Sequence, residues 1–177
     1  MSLAAIIYDK GFRIDDFMTE IATRLSAEGV RVRGLVQENF GDDPNCTTMI
    51  LVDLASSGRF GISQDLGAHA HGCRLDPHGL ADAGGQVDQA LADADLLILN
   101  KFGRAEAEEG AGLRSTVVRA IDLGVPVLIA VRPPYSEAWE AFHGGLAAAL
   151  APEIEPVLDW CRTAARARGA PAAGCGS

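Results

Sequence analysis

Apolar positions along this chain switch between two spacings. Leu3 to Tyr8 (LAAIIY) is a short continuous run with β-branched residues, the pattern of a strand buried on both faces, and Asp15 to Leu25 follows with helical spacing. Phe17, Ile21 and Leu25 fall on one helix face, Gly29 supplies a stop, and Val30 to Gln37 resumes as a strand. Thr47 to Leu54 and Arg59 to Ser63 flank Ala-Ser-Ser-Gly and read as a β-hairpin. Asp65 to Gly72 is polar and glycine-rich, a surface loop. Asp76 before Pro77 has the form of an N-cap followed by proline at the first helical position. It opens a helix to about Ala92 that must accommodate Gly79, Gly84 and Gly85.

The second half repeats the alternation. Asp95 to Asn100 (DLLILN) is a buried strand, Gly112 to Leu123 a helix closed by Gly124, and Val125 to Val131 (VPVLIAV) another buried strand. Ser136 is placed to cap a helix carrying Trp139, Phe142 and Leu146, which read as packing residues, as does Trp160. Apolar strands alternating with helices imply an α/β fold of three layers around a mostly parallel sheet, with the hairpin inserted. Residues 1–163 make one domain. The Ala-, Gly-, Arg- and Pro-rich residues 164–177 read as a flexible tail.

Composition narrows the function classes. A net charge of −9 and a pI near 4.8 oppose general attraction to nucleic acid or anionic membrane. No apolar stretch approaches the roughly 18–20 residues of a bilayer span, and the start lacks a leader pattern, so a cytoplasmic protein is expected. The four cysteines, Cys46, Cys73, Cys161 and Cys175, form no CxxC pair and are expected as thiols.

Within this acidic chain the cations are unevenly placed. The two lysines, Lys10 and Lys101, each follow an apolar strand; Arg13 and Arg104 lie three residues beyond them, and Arg132 ends a third strand. In open parallel sheets ligands bind outside the carboxyl ends of strands, so Lys10, Gly11, Arg13, Asn100, Lys101, Gly103, Arg104, Arg132 and Tyr135 are the candidate anion-binding residues. Pro133 and Pro134 stiffen the wall that follows Arg132. Competing roles are local: Asp15 or Asp16 as a helix cap, and Lys101 paired with Glu106 or Glu108.

Tyr8-Asp9-Lys10-Gly11-Phe12-Arg13 occupies the place of a phosphate-binding P-loop, without its glycine wrap or a Lys-Ser or Lys-Thr pair. Asn100 and Lys101 stand where a nucleotide hydrolase would hold magnesium with a carboxylate. A bare oxyanion suits these positions better than a metal triphosphate. His69, His71, Cys73 and His78 lie within ten residues as a weaker, metal-ligating alternative to a polar loop. Cys73 beside Arg74 is the remaining thiol nucleophile candidate.

The segments AAIIYDKG, VRVRGLVQ, TTMILVDLASSGRFGISQDLG, CRLDP, LLILNKFGRAEAEEGAGLR and GVPVLIAVRPPY, over most of residues 4–160, resemble a bacterial family catalogued as domain of unknown function 2478. The same order is similar to the P-loop nucleoside-triphosphatases. The resemblance implies a P-loop NTPase-like sheet with a degenerate Walker A loop. It also implies a link to molybdenum transport or cofactor genes, and so molybdate or tungstate as the ligand in preference to a nucleotide. Expected partners are a small anion and either a second copy of the chain or a molybdenum-pathway protein. Two other functions are carried beside oxyanion binding: an unorthodox nucleoside-triphosphatase with Asp9 or Glu106 as base, and an accessory protein docking on a molybdenum enzyme.

Overall fold

The computed structural model describes residues 2–40, 48–64 and 74–169. β1 (Leu3–Ile7) leads into α1 (Ile14–Ala27) and β2 (Val32–Phe40); β3 (Thr48–Asp53) and β4 (Arg59–Gly61) follow. A two-residue pair, β5 (Ser63–Gln64) and β6 (Arg74–Leu75), precedes α2 (Pro77–Ala90). β7 (Leu96–Phe102), α3 (Arg104–Glu108), α4 (Arg114–Asp122) and β8 (Val127–Val131) come next. α5 (Ser136–His143), β9 (Ala147–Leu150) and α6 (Ile154–Gly169) complete the described chain.

The main sheet has seven strands in the order β4-β3-β2-β7-β8-β1-β9. β2, β7, β8, β1 and β9 run parallel, while the β3–β4 hairpin extends β2 antiparallel, as the sequence predicts. Side chains alternate between two cores. Leu3, Ala5, Leu97, Leu99, Val127 and Ile129 face α2, α4 and α5, whereas Ala4, Ile6, Leu96, Ile98, Leu128 and Ala130 face α1 and α6. Both faces are covered, which is why these strands are apolar throughout.

Two of the three glycines of α2 have steric reasons, whereas a Cβ at Gly85 would meet open space. A Cβ at Gly79 would lie 2.1 Å from the Gly61 carbonyl oxygen, and one at Gly84 would press on Leu113 and Thr116 of the α4 region. Asp76 caps α2 as expected, its carboxylate accepting from the His78 amide.

Several boundaries differ from the sequence reading. Ser136 begins α5 but does not cap it, and Gly144, at φ +56°, ends the helix before the exposed Leu146. α4 starts two residues later than expected, because Gly112 is used in a left-handed turn. Alanine-rich β9 has no β-branched residue to announce it, and it gains its strand by pairing with β1. Residues 164–169, read as tail, continue α6, with Ala165 buried and Arg168 donating to the carbonyls of Ala92, Ala94 and Leu123. Those bonds fasten the helix end to the amino end of the sheet.

Candidate functional site

The carboxyl ends of β1, β8 and β7 are neighbours, since β8 pairs with both others. Their following loops, with the start of α1 and the end of β2, line a cleft of about 1000 Å3. Lys10, Gly11, Arg13, Lys101, Gly103, Arg104, Arg132 and Tyr135 all lie on its wall, and Asn100 stands behind Lys101 in contact with Asp15. Sequence alone does not encode strand order, so this convergence is a product of the topology.

β7 reaches the cleft with an irregularity. Its register against β8 runs Leu99 to Ile129 and then Phe102 to Val131, so one extra residue is inserted at Asn100–Lys101. Lys101 therefore lies inside a bulged strand end and not in the loop after it. The bulge changes where side chains point: Leu97 and Leu99 face one core, yet Phe102 rejoins that same core from an even-numbered position. Asn100 and Lys101 can consequently both reach α1 on the other face.

They meet Asp15. Its Oδ1 accepts from Asn100 Nδ2 at 2.6 Å and pairs with Lys101 Nζ at 2.7 Å, and its Oδ2 accepts from Asn39 Nδ2 at 2.7 Å. Asp15 is thus not the helix cap, and Lys101 is not paired with Glu106 or Glu108. Arg13 occupies the cap position of α1 and no side chain caps it. A carboxylate from α1 is supplied to the end of β7, where the strand's own residues are an amide and a cation. Asn100 is buried, and its Oδ1 has no hydrogen-bond partner among the described residues.

The remaining cations divide into two groups. Arg13 pairs with Asp16, and Arg104 Nε with Glu108 Oε2 at 2.9 Å; both pairs are largely exposed and add little. Lys10 and Arg132 have no ion-pair partner among the described residues. Arg132 is half-buried, its guanidinium 5.9 Å from the centre of the Tyr135 ring. The wall carries five cations, Lys10, Arg13, Lys101, Arg104 and Arg132, against five carboxylates, Asp9, Asp15, Asp16, Glu20 and Glu38. It is close to electroneutral.

Tyr8, absent from the sequence-based set, also lines the cleft. Burial raises its hydroxyl pKa to about 12; Arg132 opposes that rise, and Asp15 and Tyr135 add to it. The phenol remains a proton donor across the neutral range. Gln37, Glu38, Asn39 and Phe40 at the end of β2 line the cleft too, and nothing in the placement of cations along the sequence marks them, since β2 ends without one.

Glu106 is spent on structure: its carboxylate accepts from the Gly103 and Leu113 amides, both at 2.9 Å, and it is buried. A Cβ at Gly112 would lie 2.2 Å from Glu106 Oε1, so the glycine makes room for this brace. Glu106 is therefore removed as a catalytic base. His69, His71 and Cys73 lie outside the described residues; His78 is exposed at the start of α2. Among the described residues no group of three or more His, Cys, Asp or Glu side chains is placed to hold a metal ion, and no helix is long and apolar enough to cross a membrane.

Residues 3–160 match the family described as Protein of unknown function (DUF2478). The chain is 40% identical over 162 residues to the molybdenum import ATP-binding protein ModC 2 of Bradyrhizobium diazoefficiens, a match that covers 90% of this chain but 18% of that protein. In structure it is similar to a human cancer-related nucleoside triphosphatase solved in solution, with a TM-score of 0.59, 14% identity, and coverage of 93% of this chain and 96% of the other. The fold is accordingly of the P-loop nucleoside-triphosphatase type.

Proposed function

The chain belongs to the family of unknown function DUF2478, and from the cleft just described we propose that it binds a small tetrahedral oxyanion or phosphate-bearing ligand without hydrolysing it. The observation that carries this reading is the pair Lys10 and Arg132. They follow neighbouring strands, β1 and β8, onto one cleft wall, and neither has an ion-pair partner among the described residues. Two unpaired positive charges match a dianion, and charge-assisted hydrogen bonds to its oxygens are among the stronger polar contacts. The Tyr8 hydroxyl adds a neutral donor beside them.

Hydrolysis is disfavoured by chemistry. The six-residue β1–α1 loop lacks a glycine wrap, Asp15 and Asp16 place negative charge in the first turn of α1, and Lys101 already neutralises Asp15. A magnesium triphosphate would meet carboxylates where its own phosphates need donors. The relative named for molybdenum import supports molybdate, or the similar tungstate, as the anion.

Titration calorimetry in magnesium-free buffer with molybdate, tungstate, sulfate and phosphate tests the reading. Saturable heat is expected for at least one, lost in Lys10→Ala and in Arg132→Ala. Magnesium-dependent phosphate release from ATP or GTP that disappears in Lys10→Ala would replace it with hydrolysis, using Asp9 as base.

A second reading is favoured by one observation. The chain spans 18% of a relative named as an ATP-binding import protein, so in that relative a stretch similar to this chain shares a polypeptide with much more sequence. This chain would then act as an accessory module docking on such a molybdenum-pathway partner. Co-purification that persists in Lys10→Ala would support docking independent of the cleft.

A further inference from the structure

The cleft is far larger than the anion assigned to it. At about 1000 Å3 it lies at the upper end of small-molecule sites, which run from roughly 300 to 1000 Å3. A tetrahedral dianion would occupy only a small part. The sheet order also gives the cleft a length. From the loop after β1 to the end of β2 the wall crosses β8 and β7, three strand spacings, or roughly 14 Å.

The two ends differ in chemistry. At the β1–β8 end stand Lys10, Arg132 and the hydroxyls of Tyr8 and Tyr135. At the β2 end stand Glu38, Phe40, Gln37 and, from α1, Glu20. Glu38 pairs with Arg59 through Oε2 and Glu20 with Arg24 through Oε1, which leaves one carboxylate oxygen of each without a partner among the described residues. Phe40 is 47% exposed, and the Arg59 guanidinium lies 5.4 Å from the centre of its ring. Phe12, another exposed aromatic, lines the same cleft. An exposed ring beside unsatisfied acceptors favours a planar partner that carries N–H donors.

We infer that the cleft is a two-ended site for an organic phosphate monoester: Lys10 and Arg132 hold the phosphate, and a planar ring bearing N–H groups lies at Phe40 and donates to Glu38 and Glu20. The inference rests on the anion-binding reading and gives it a substrate class. Asp15, held by Asn39, Asn100 and Lys101, forms the floor between the ends. A near-neutral wall fits such a ligand better than it fits a bare dianion, because each end meets its own complement.

Titration calorimetry of the full chain in magnesium-free buffer tests this with inorganic phosphate, molybdate, guanosine 5′-monophosphate, cytidine 5′-monophosphate, pyridoxamine phosphate and guanosine. At least one monoester is expected to bind about tenfold or more tighter than phosphate and guanosine, a gain of the size aromatic stacking supplies. Phe40→Ala, at an exposed position, and Glu38→Gln, at a half-buried one, should weaken that monoester about tenfold and leave phosphate and molybdate unchanged, whereas Arg132→Ala weakens all three. If phosphate or molybdate binds and no monoester binds tighter, the two-ended site is wrong while anion binding stands. Equal losses for phosphate and monoester in Phe40→Ala also overturn it. No heat from any probe removes both readings together.

Discussion

At the scale of single residues, Asp15 decides how strongly the cleft attracts an anion. Its carboxylate takes the Lys101 ammonium and two amides, and so removes one of the cations that strand position alone would assign to a ligand. Asp15→Asn keeps the size and most hydrogen-bonding capacity while releasing Lys101. Anion affinity should rise about tenfold, equivalent to about 1.4 kcal/mol for one charge uncovered at the cleft. Calorimetry with phosphate or molybdate reads this directly, and unchanged or weaker binding would show that Lys101 does not reach the ligand. Asp15→Ala is the harsher change, because it strips Asn100 of its bond in a buried setting. It should cost about 1–3 kcal/mol of stability in denaturant unfolding.

At the scale of elements, the cleft depends on how closely β2 and β7 approach. Gly34 of β2 pairs with Ile98 of β7, has φ +125°, and a Cβ there would lie 1.9 Å from the Ile98 carbonyl oxygen. Neither the conformation nor the space admits a side chain. Gly34→Ala should therefore destabilise by about 3 kcal/mol or more, among the larger single-residue effects, and a midpoint in urea close to that of the unaltered chain would refute the argument. The central strands β7 and β8 show what local pattern can and cannot reveal. Runs such as Leu96–Leu99 and Val127–Val131 announce themselves because both faces are buried, and the caps at Asp76 and Gly29 are local chemistry legible residue by residue. The bulge at Asn100–Lys101 is not legible, since an inserted residue leaves no mark in hydrophobic spacing. It is the bulge, together with strand order, that turns Lys101 toward Asp15. β9 and the continuation of α6 past residue 164 escaped for a related reason: alanine-rich sequence takes its structure from the neighbour it packs against.

At the scale of the whole molecule, protons link the cleft to folding. Two buried groups, Tyr8 and Cys161, hold their protons to a pKa of about 12, in both cases chiefly because burial penalises the charged form. Their ordinary values are 10.0 and 9.0. Each is raised in the folded state, so its contribution to stability is complete below the ordinary value and is lost as pH climbs through the window to about 12. Asp95 acts at the other limb. The hydrogen bond from Arg31 holds its carboxyl below the usual range, so its contribution is present above the ordinary carboxylate pKa and disappears as pH falls. Stability should hence be flat through the neutral range and decline in alkali. In Tyr8→Phe the decline between pH 10 and 12 should shrink by about 2 kcal/mol at the upper limit, with the Cys161 part remaining. Urea unfolding at stepped pH measures it, and an alkaline limb identical in the variant would mean that the Tyr8 hydroxyl is not held neutral by the fold. The same hydroxyl lies in the cleft beside Arg132, so the variant carries a second consequence at pH 7. It loses a neutral donor but no charge, and it should weaken an oxyanion by less than Arg132→Ala does, because bonds to charged groups are roughly twice as strong.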